Sequence, residues 1–368
     1  MGYTVDQIQD LLATTLRDLP KGEFEAMWDY QNYTFAHIYA EHNREIDGGT
    51  SIQRNVILDE TGDAKYRTLF DTDQPMVNQA QFVVNVPWVQ LGTNYSWDEV
   101  EILTNKNDEK GFIRLLESRR TTSLWSYANL FEQKGWATPV NAADTKNPFG
   151  IPYYITFANS GVDVGGGGFV GQTIRYQDGS TGTVCAGLDA ASLPKWRNYA
   201  DIYKRVDNAL LRTLRSAVRR TRFNPAPIMP KPGNDKVGPG ITLYAADDVC
   251  SQLEDLSDKR DDASAPGDLA GKMLYNRDGV SHFNKMPVEY APLLDGFTVG
   301  SSTPNPLFCI DWSKLQPVTF DGYWMKEGKP MVDRGQHTTY TVYLDSRHNN
   351  LCINRRTAGF VIHNKMSS

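Results

Sequence analysis

SIQRNVILDETGDA at residues 51–64 and QAQFVVNVPWVQL at residues 79–91 decide how the rest of this chain is read. β-branched and aromatic residues recur in both runs at strand spacing, bounded by Gly, Asp and Pro. The first run predicts a strand over 51–58 and a turn over Asp59–Ala64, with Gly62 supplying the bend. A return strand is predicted over Lys65–Phe70, and a further extended segment over 79–91. Residues 47–92 therefore read as one long β-ribbon. A two-stranded ribbon with no third layer is marginal in water, so its apolar side chains are expected to be buried by another chain. The layout suits assembly better than it suits a ligand pocket.

On the N-terminal side, residues 4–17 predict a short amphipathic helix capped by Thr4, with Val5, Ile8, Leu11, Leu12 and Leu16 as its stripe. Pro20 ends it, residues 22–44 predict a second helix, and Gly48-Gly49 closes that helix and opens the ribbon. On the C-terminal side, a long helix is predicted at about 105–137. Its apolar side carries Phe112, Leu115, Leu116, Leu124, Trp125, Ala128 and Phe131, and Leu116 and Trp125 are expected to be buried. Residues 138–192 are rich in Gly, Asn and Pro and read as loop, including the glycine run 165–168. A further helix is predicted over about 193–222, capped by Ser192. After a Pro- and Gly-rich stretch come a strand at Ile241–Ala245, a helix at Ala246–Leu256 and an exposed loop at 257–285. Strands are predicted at Pro306–Ile310, Gly322–Met325, Thr338–Leu344, Leu351–Asn354 and Gly359–His363.

The chain has 368 residues, enough for two or three packed units. A net charge of −6 argues against tight binding of nucleic acid over the whole surface. No apolar run is long enough for a membrane span, and the N-terminus lacks the pattern of a signal peptide. The four cysteines, Cys185, Cys250, Cys309 and Cys352, form no CxxC pair. They are expected to be free, mostly buried thiols of an intracellular protein, and a zinc site is not expected.

No chemistry-bearing motif emerges. The six histidines show no HExxH spacing, and no GxSxG elbow occurs. The run GGGGFVG at 165–171 lacks the Lys-Ser/Thr of a phosphate loop. DETGD at 59–63 lacks the alternating oxygens of a calcium loop and reads as a solvated turn. Arg212, Arg215, Arg219, Arg220 and Arg222 crowd the end of the second long helix. Given the net charge, they are expected to pair with carboxylates, some on a neighbouring subunit, rather than with phosphate.

The order of parts resembles the major capsid proteins of tailed bacteriophages, the Hong Kong ninety-seven-type fold. Three stretches carry the resemblance: 48–70 with 107–125 (GGTSIQRNVILDETGDAKYRTLF and NDEKGFIRLLESRRTTSLW), KNPFGIPYYI at 146–155, and 310–325 with 337–363. It implies an α+β chain that self-assembles into pentamers and hexamers forming an icosahedral shell around double-stranded DNA. It divides the chain into a helical N-terminal arm (1–46), an extended β-hairpin loop (47–92) and a peripheral domain with a spine helix (93–190). An axial domain (191–330) and strands returning to the peripheral domain (331–368) complete it. Expected subunit contacts are Arg54, Lys65, Arg67 and Phe70 on the arm, and Arg215 and Arg219 on the later helix. The implied setting is the virion, assembled in the host cytoplasm, with no cofactor, no catalysis and no membrane partner. The implied partners are other copies, a separate scaffolding protein, a portal, a decoration protein, and weak non-specific contact with packaged DNA. The first predicted helix begins near Thr4, so a fused scaffold is not expected. Covalent cross-linking of Lys65 to Asn349, Asn350 or Asn354 is not expected either, because no motif fixes such a pair. The alternatives are another oligomeric phage component (neck, tail or baseplate) and a β-rich hydrolase using Asp311, Glu327 and Asp345.

Overall fold

The structure, a computed structural model, describes residues 27–60, 62, 64–70, 79–104, 109–222, 240–262, 274–277, 280–299, 302–332, 335 and 337–366. The predicted first helix at 4–17 lies outside the described residues. Described structure begins with helix α1 (Thr34–Glu41) and strands β1 (Arg44–Ile46), β2 (Ser51–Ile57), β3 (Gln81–Pro87) and β4 (Val89–Asp98). Helices α2 (Glu99–Thr104) and α3 (Glu109–Gly135) follow, then β5 (Gly168–Gly171), β6 (Asn198–Tyr203) and α4 (Asn208–Thr221). Next are β7 (Ile241–Ala245), α5 (Asp247–Asp262), β8 (Leu274–Arg277), β9 (Val280–Phe283) and β10 (Met286–Tyr290). The chain ends through β11 (Leu307–Asp311), β12 (Leu315–Phe320), β13 (Lys326–Glu327), β14 (Met331–Val332), β15 (Thr339–Cys352) and β16 (Gly359–Asn364).

Two sheets carry the fold, so its class is α+β. In the six-stranded sheet the 14-residue β15 is central. It pairs antiparallel with β4 from Thr339↔Asp98 to His348↔Val89, and on its other side with β12, β13 and β14. Two strands were expected here, split by Asp345–Asn350. Asn349 and Asn350 are poor strand formers on local grounds, but both are buried and fully engaged, so tertiary contacts carry the strand through them. Asn349 Oδ1 accepts from the amide of Phe149 (2.9 Å), and its Nδ2 donates to Pro87 O (2.7 Å). Asn350 accepts from Tyr39 Oη (2.8 Å) and donates to Phe149 O (2.8 Å).

The second sheet has eight strands in the order β8-β9-β10-β7-β11-β16-β6-β5. Its central strands are buried on both faces. Ala200, Tyr244, Phe308 and Val361 point into a core shared with the six-stranded sheet and the arm base. Their neighbours Tyr199, Leu243, Leu307 and Phe360 point into a second core beneath α4 and α5. Two-sided burial explains the largest misreading. NYADIY at 198–203 has no polar alternation because all six residues are buried, so it merged into the helical stripe that follows. The helix starts at Asn208, capped by Asp207 rather than Ser192: Asp207 Oδ1 accepts from the amides of Ala209 (2.8 Å) and Leu210 (3.2 Å).

The glycine run is structured as well. Gly168 opens the edge strand β5, and a Cβ on Gly167 would lie 2.2 Å from Asp201 Cγ, so glycine is needed for close approach to β6. Residues 22–26 of the predicted 22–44 helix lie outside the described residues; of the rest, 27–33 are not helical, and α1 is followed by strand β1. Part of the expected loop at 257–285 is helix and hairpin, in α5, β8 and β9. Gly322–Met325 is a turn, and the strand lies at 315–320 instead.

Helix α3 has 27 residues, a length of about 40 Å. Its C-terminal half packs on α1: Tyr39 meets Phe131 (centroids 5.0 Å apart), and Phe35 meets Trp136 edge-on (5.8 Å). Leu115, Tyr127 and Phe131 are buried, whereas Leu116 and Trp125 are only half-buried. The buried face thus lies one residue away from the expected one at position 116. Among the described residues no helix is long and apolar enough to cross a membrane.

Candidate assembly surfaces

The arm is built differently from its sequence reading. Strand β2 pairs with β3, from Ser51↔Pro87 to Ile57↔Gln81, not with Lys65–Phe70. Residues 64–68 form no strand, and Leu69–Phe70 is a turn with Phe70 in the left-handed region (φ 70°). The base of the ribbon is also not left for another chain. Ile52 (1% exposed), Val84 (0%), Val56 and Val86 join the chain's own core, and Trp88 Nε1 donates to Gly49 O (3.1 Å). Alternation does the sorting: Gln53, Asn55 and Ile57 on the other face are exposed.

Beyond the base the situation reverses. Tyr66, Leu69 (87% exposed) and Phe70 (100%) stand in solvent, with no apolar side chain among the described residues covering them. Isolated surface apolar residues need no explanation, but an aromatic-aliphatic group on a projecting segment marks a contact surface. Lys65 and Arg67 are exposed beside it, while Arg54 is half-buried opposite Val84 at the base. Lys195 Nζ ties the start of the tip to the body through Asp59 Oδ1 (2.8 Å), and this bond holds the Asp59 carboxyl below its usual range.

A second exposed apolar surface lies at the end of the six-stranded sheet. Val100, Ile102 and Leu103 of α2 are exposed, as are Met331 and Val332 of β14. Beside them Trp97 stacks on Tyr340 (centroids 6.0 Å apart, 18° between planes). Polar ties fix this end to α3. Arg119 grips Glu101 with both terminal nitrogens (2.8 and 3.0 Å) and Ser96 O (2.9 Å). Glu327 accepts from Tyr95 Oη and from Arg120 Nε (3.2 Å).

The third surface is α4. Its apolar stripe, Leu210, Leu214, Ala217, Val218 and Thr221, is buried, and Arg212 and Arg219 are exposed on the other side. Arg215 is half-buried, and its Nε is closed off from water without a hydrogen bond. Arg220 donates to Gly167 O (3.4 Å). The expected carboxylate partners of Arg212, Arg215 and Arg219 are not found among the described residues.

Interior polar groups are occupied in holding elements together. Arg355, fully buried, donates to Tyr154 O, Trp196 O (3.2 Å) and Thr156 Oγ1 (2.9 Å). Glu132 on α3 accepts from the amide of Phe35 at the start of α1 and from Trp136 Nε1 (each 2.8 Å). Burial pushes the Glu132 carboxyl up to about 7, against the pull of those donors. Burial alone pushes His348 down to about 3.

The carboxylates of the hydrolase alternative are not brought together. Asp311 lies in the eight-stranded sheet and caps the Ser313 amide (3.0 Å), whereas Glu327 and Asp345 lie in the other sheet and Glu327 is held by Arg120. Among the described residues no group of three His, Cys, Asp or Glu can hold a metal ion, and the four cysteines are free. For cross-linking, the burial and full hydrogen bonding of Asn349 and Asn350 leave neither amide accessible to Lys65.

Neither a family model nor a curated protein matches the sequence. Solved structures do match, over nearly the whole chain. The capsid asymmetric unit of cyanophage A-1(L) is 14% identical, with 94% of this chain and 97% of that one aligned and a TM-score of 0.59. The capsid of the native GTA particle is 10% identical, with 95% of each chain aligned and a TM-score of 0.54. The chain has the fold of phage capsid proteins. The sequence-based expectation of that fold is met.

Proposed function

We propose that this chain is a major capsid protein, whose copies form pentamers and hexamers that close an icosahedral shell around double-stranded DNA. The observation that carries the reading is the end-to-end likeness to capsid structures, 94% of this chain against 97% of the first. The arm supports it independently: its base is consumed by the chain's own core, while Tyr66, Leu69 and Phe70 are offered outward. In this reading the tip, with Lys65 and Arg67 beside it, packs on a neighbouring copy, and such heterologous contacts close into rings. Residues 47–92 act as the intersubunit loop, α3 as the spine of a peripheral domain (93–190, with 331–368), and 191–330 as the axial domain. The role is structural. The protein resides in the virion after assembly in the host cytoplasm, with a scaffolding protein, portal and decoration protein as further partners.

The test is expression of the full chain followed by sedimentation and electron microscopy. Capsomers or megadalton shells are expected. A monodisperse monomer or dimer at every salt and protein concentration would overturn the reading.

A further inference from the structure

The helices α4 and α5 lie on the same face of the eight-stranded sheet, toward its opposite edges. Helix α4 packs on β6 and β16, and α5 packs on β8, β9 and β10. Both bury their apolar stripes in one core. Their outward faces carry opposite charge.

On α4 the arginines at 212, 215 and 219 fall at spacings of three and four, which place them on one stripe about 10 Å long, while Arg222, just past the helix, turns inward to Met286 Sδ (3.8 Å). No acidic residue interrupts α4. Arg220, on the other flank, is turned to β5 through Gly167 O. On α5, Asp247, Asp248, Glu254 and Asp255 are exposed, and no Lys or Arg occurs between 247 and 256. Among the described residues none of Arg212, Arg215 and Arg219 has an ion-pair partner, nor has any of these four carboxylates. Like charges one turn apart repel, and Arg215 Nε is dehydrated with no acceptor. Among the described residues nothing compensates either cost.

We propose that the arginine stripe of α4 docks on the acidic face of α5 in the adjacent copy, so that ring contacts in this part of the capsomer are ionic and directional. This rests on the shell-forming reading above. The polarity runs across the sheet from one edge to the other, which is the arrangement a head-to-tail contact requires: the basic side of each copy meets the acidic side of the next. The same geometry argues against nucleic acid as the occupant. A phosphate backbone laid along α4 would share that face with the carboxylates of α5, which repel it, whereas a second copy presents acidic groups to the arginines. Charge pairing at such a contact sets register and partner choice.

The test uses the full-length chain. In wild type, capsomers should weaken steeply between about 0.1 and 1 M NaCl, as exposed pairs are screened. Arg215→Glu with Arg219→Glu should lower the association constant on the order of tenfold or more, because like charges then face each other. Asp248→Arg with Asp255→Arg should do the same, and mixing the two variants should restore association, because each contact between unlike variants pairs opposite charges while each contact between like variants repels. Because charge reversal can disturb folding, a second measurement uses Arg219→Cys and Asp255→Cys as separate proteins. With oxidised glutathione, the mixture should give a disulfide-linked dimer that neither protein gives alone. Wild-type capsomers that ignore salt, together with no dimer in the mixture, would overturn the proposal and leave the shell reading standing. Loss of duplex-DNA retention on filters in the arginine variant, with capsomers intact, would also overturn it and assign the face to phosphate. A wild type that never oligomerises would defeat the shell reading, and this proposal with it.

Discussion

The two halves of the arm behave as parts of different molecules. At its base, Ile52, Val84 and Val86 are as deeply buried as any core residue. A few residues further along the same ribbon, Tyr66, Leu69 and Phe70 are open to solvent. The base is therefore part of monomer folding, and the tip is free to serve association. A ribbon that is marginal alone is here stabilised at one end by its own subunit. Removal of the whole ribbon cannot separate the two roles, because it damages the monomer first. Substitutions confined to one half can.

The largest effect is expected at the tip. Tyr66→Ser, Leu69→Ser and Phe70→Ser together should leave the monomer melting temperature nearly unchanged, since surface substitutions usually stay within about 0.5 kcal/mol. Closed particles should be absent by electron microscopy. Shells in normal yield would show that the tip is not an assembly contact and would erase the contrast.

The base should respond the other way. Ile52→Ala should lower unfolding free energy by roughly 2–5 kcal/mol in denaturant melts, the range for a buried large-to-small change. On α3, Leu115→Ala should fall in the same range. Leu116→Ala, at a half-buried site, should cost clearly less. Equal losses at 115 and 116 would mean that the buried face of α3 is misplaced.

This contrast was half-legible in the sequence. Alternation found β2 and β3, but Gly62 in DETGDA gave a turn signal strong enough to suggest a tight hairpin closing on Lys65–Phe70. The true partner of β2 comes later, and only tertiary burial of Val84 and Val86 selects it. The same limit hid β6, where burial on both faces removed the period-two pattern, and it divided β15 at two asparagines whose partners lie at Pro87, Phe149 and Tyr39. Local signals that agree with tertiary burial, as in β7, β11, β16 and the stripe of α4 from Leu210 onward, were read correctly. Phe70 was expected as a subunit contact through the resemblance, whereas its place in a turn instead of a strand was not legible. The crowding of arginines at the end of α4 was legible, whereas their lack of a carboxylate partner among the described residues required the fold.

Titration extends the comparison from apolar groups to charge, with the smallest slope and opposite signs at the two sites. Asp59, just past the arm base, has its carboxyl lowered first by the hydrogen bond from Lys195, so the stability it lends is present above the ordinary carboxylate range and is lost as pH falls through its folded value. Glu132, 1% exposed between α1 and α3, is raised from 4.5 to about 7 by burial. The native state then holds a proton that the unfolded chain has released between those values. Stability should therefore be greatest below about 4.5 as far as Glu132 is concerned, and should fall as pH rises through 7. The slope can reach at most about 1.4 kcal/mol per pH unit, and the donors at Phe35 and Trp136 reduce the total. In Glu132→Gln the slope between pH 5 and 7 should flatten, measured by denaturant melts across pH. Its absolute stability should also fall, because Phe35 and Trp136 donate to different carboxylate oxygens and the amide puts an NH2, itself a donor, in place of one of them. Asp59→Asn should leave that window unchanged and remove dependence only at lower pH. A wild-type curve that rises between pH 5 and 7 and stays the same in Glu132→Gln would mean that the carboxylate is ionised and held by its N–H donors throughout, so that the joint between α1 and α3 is insensitive to protons.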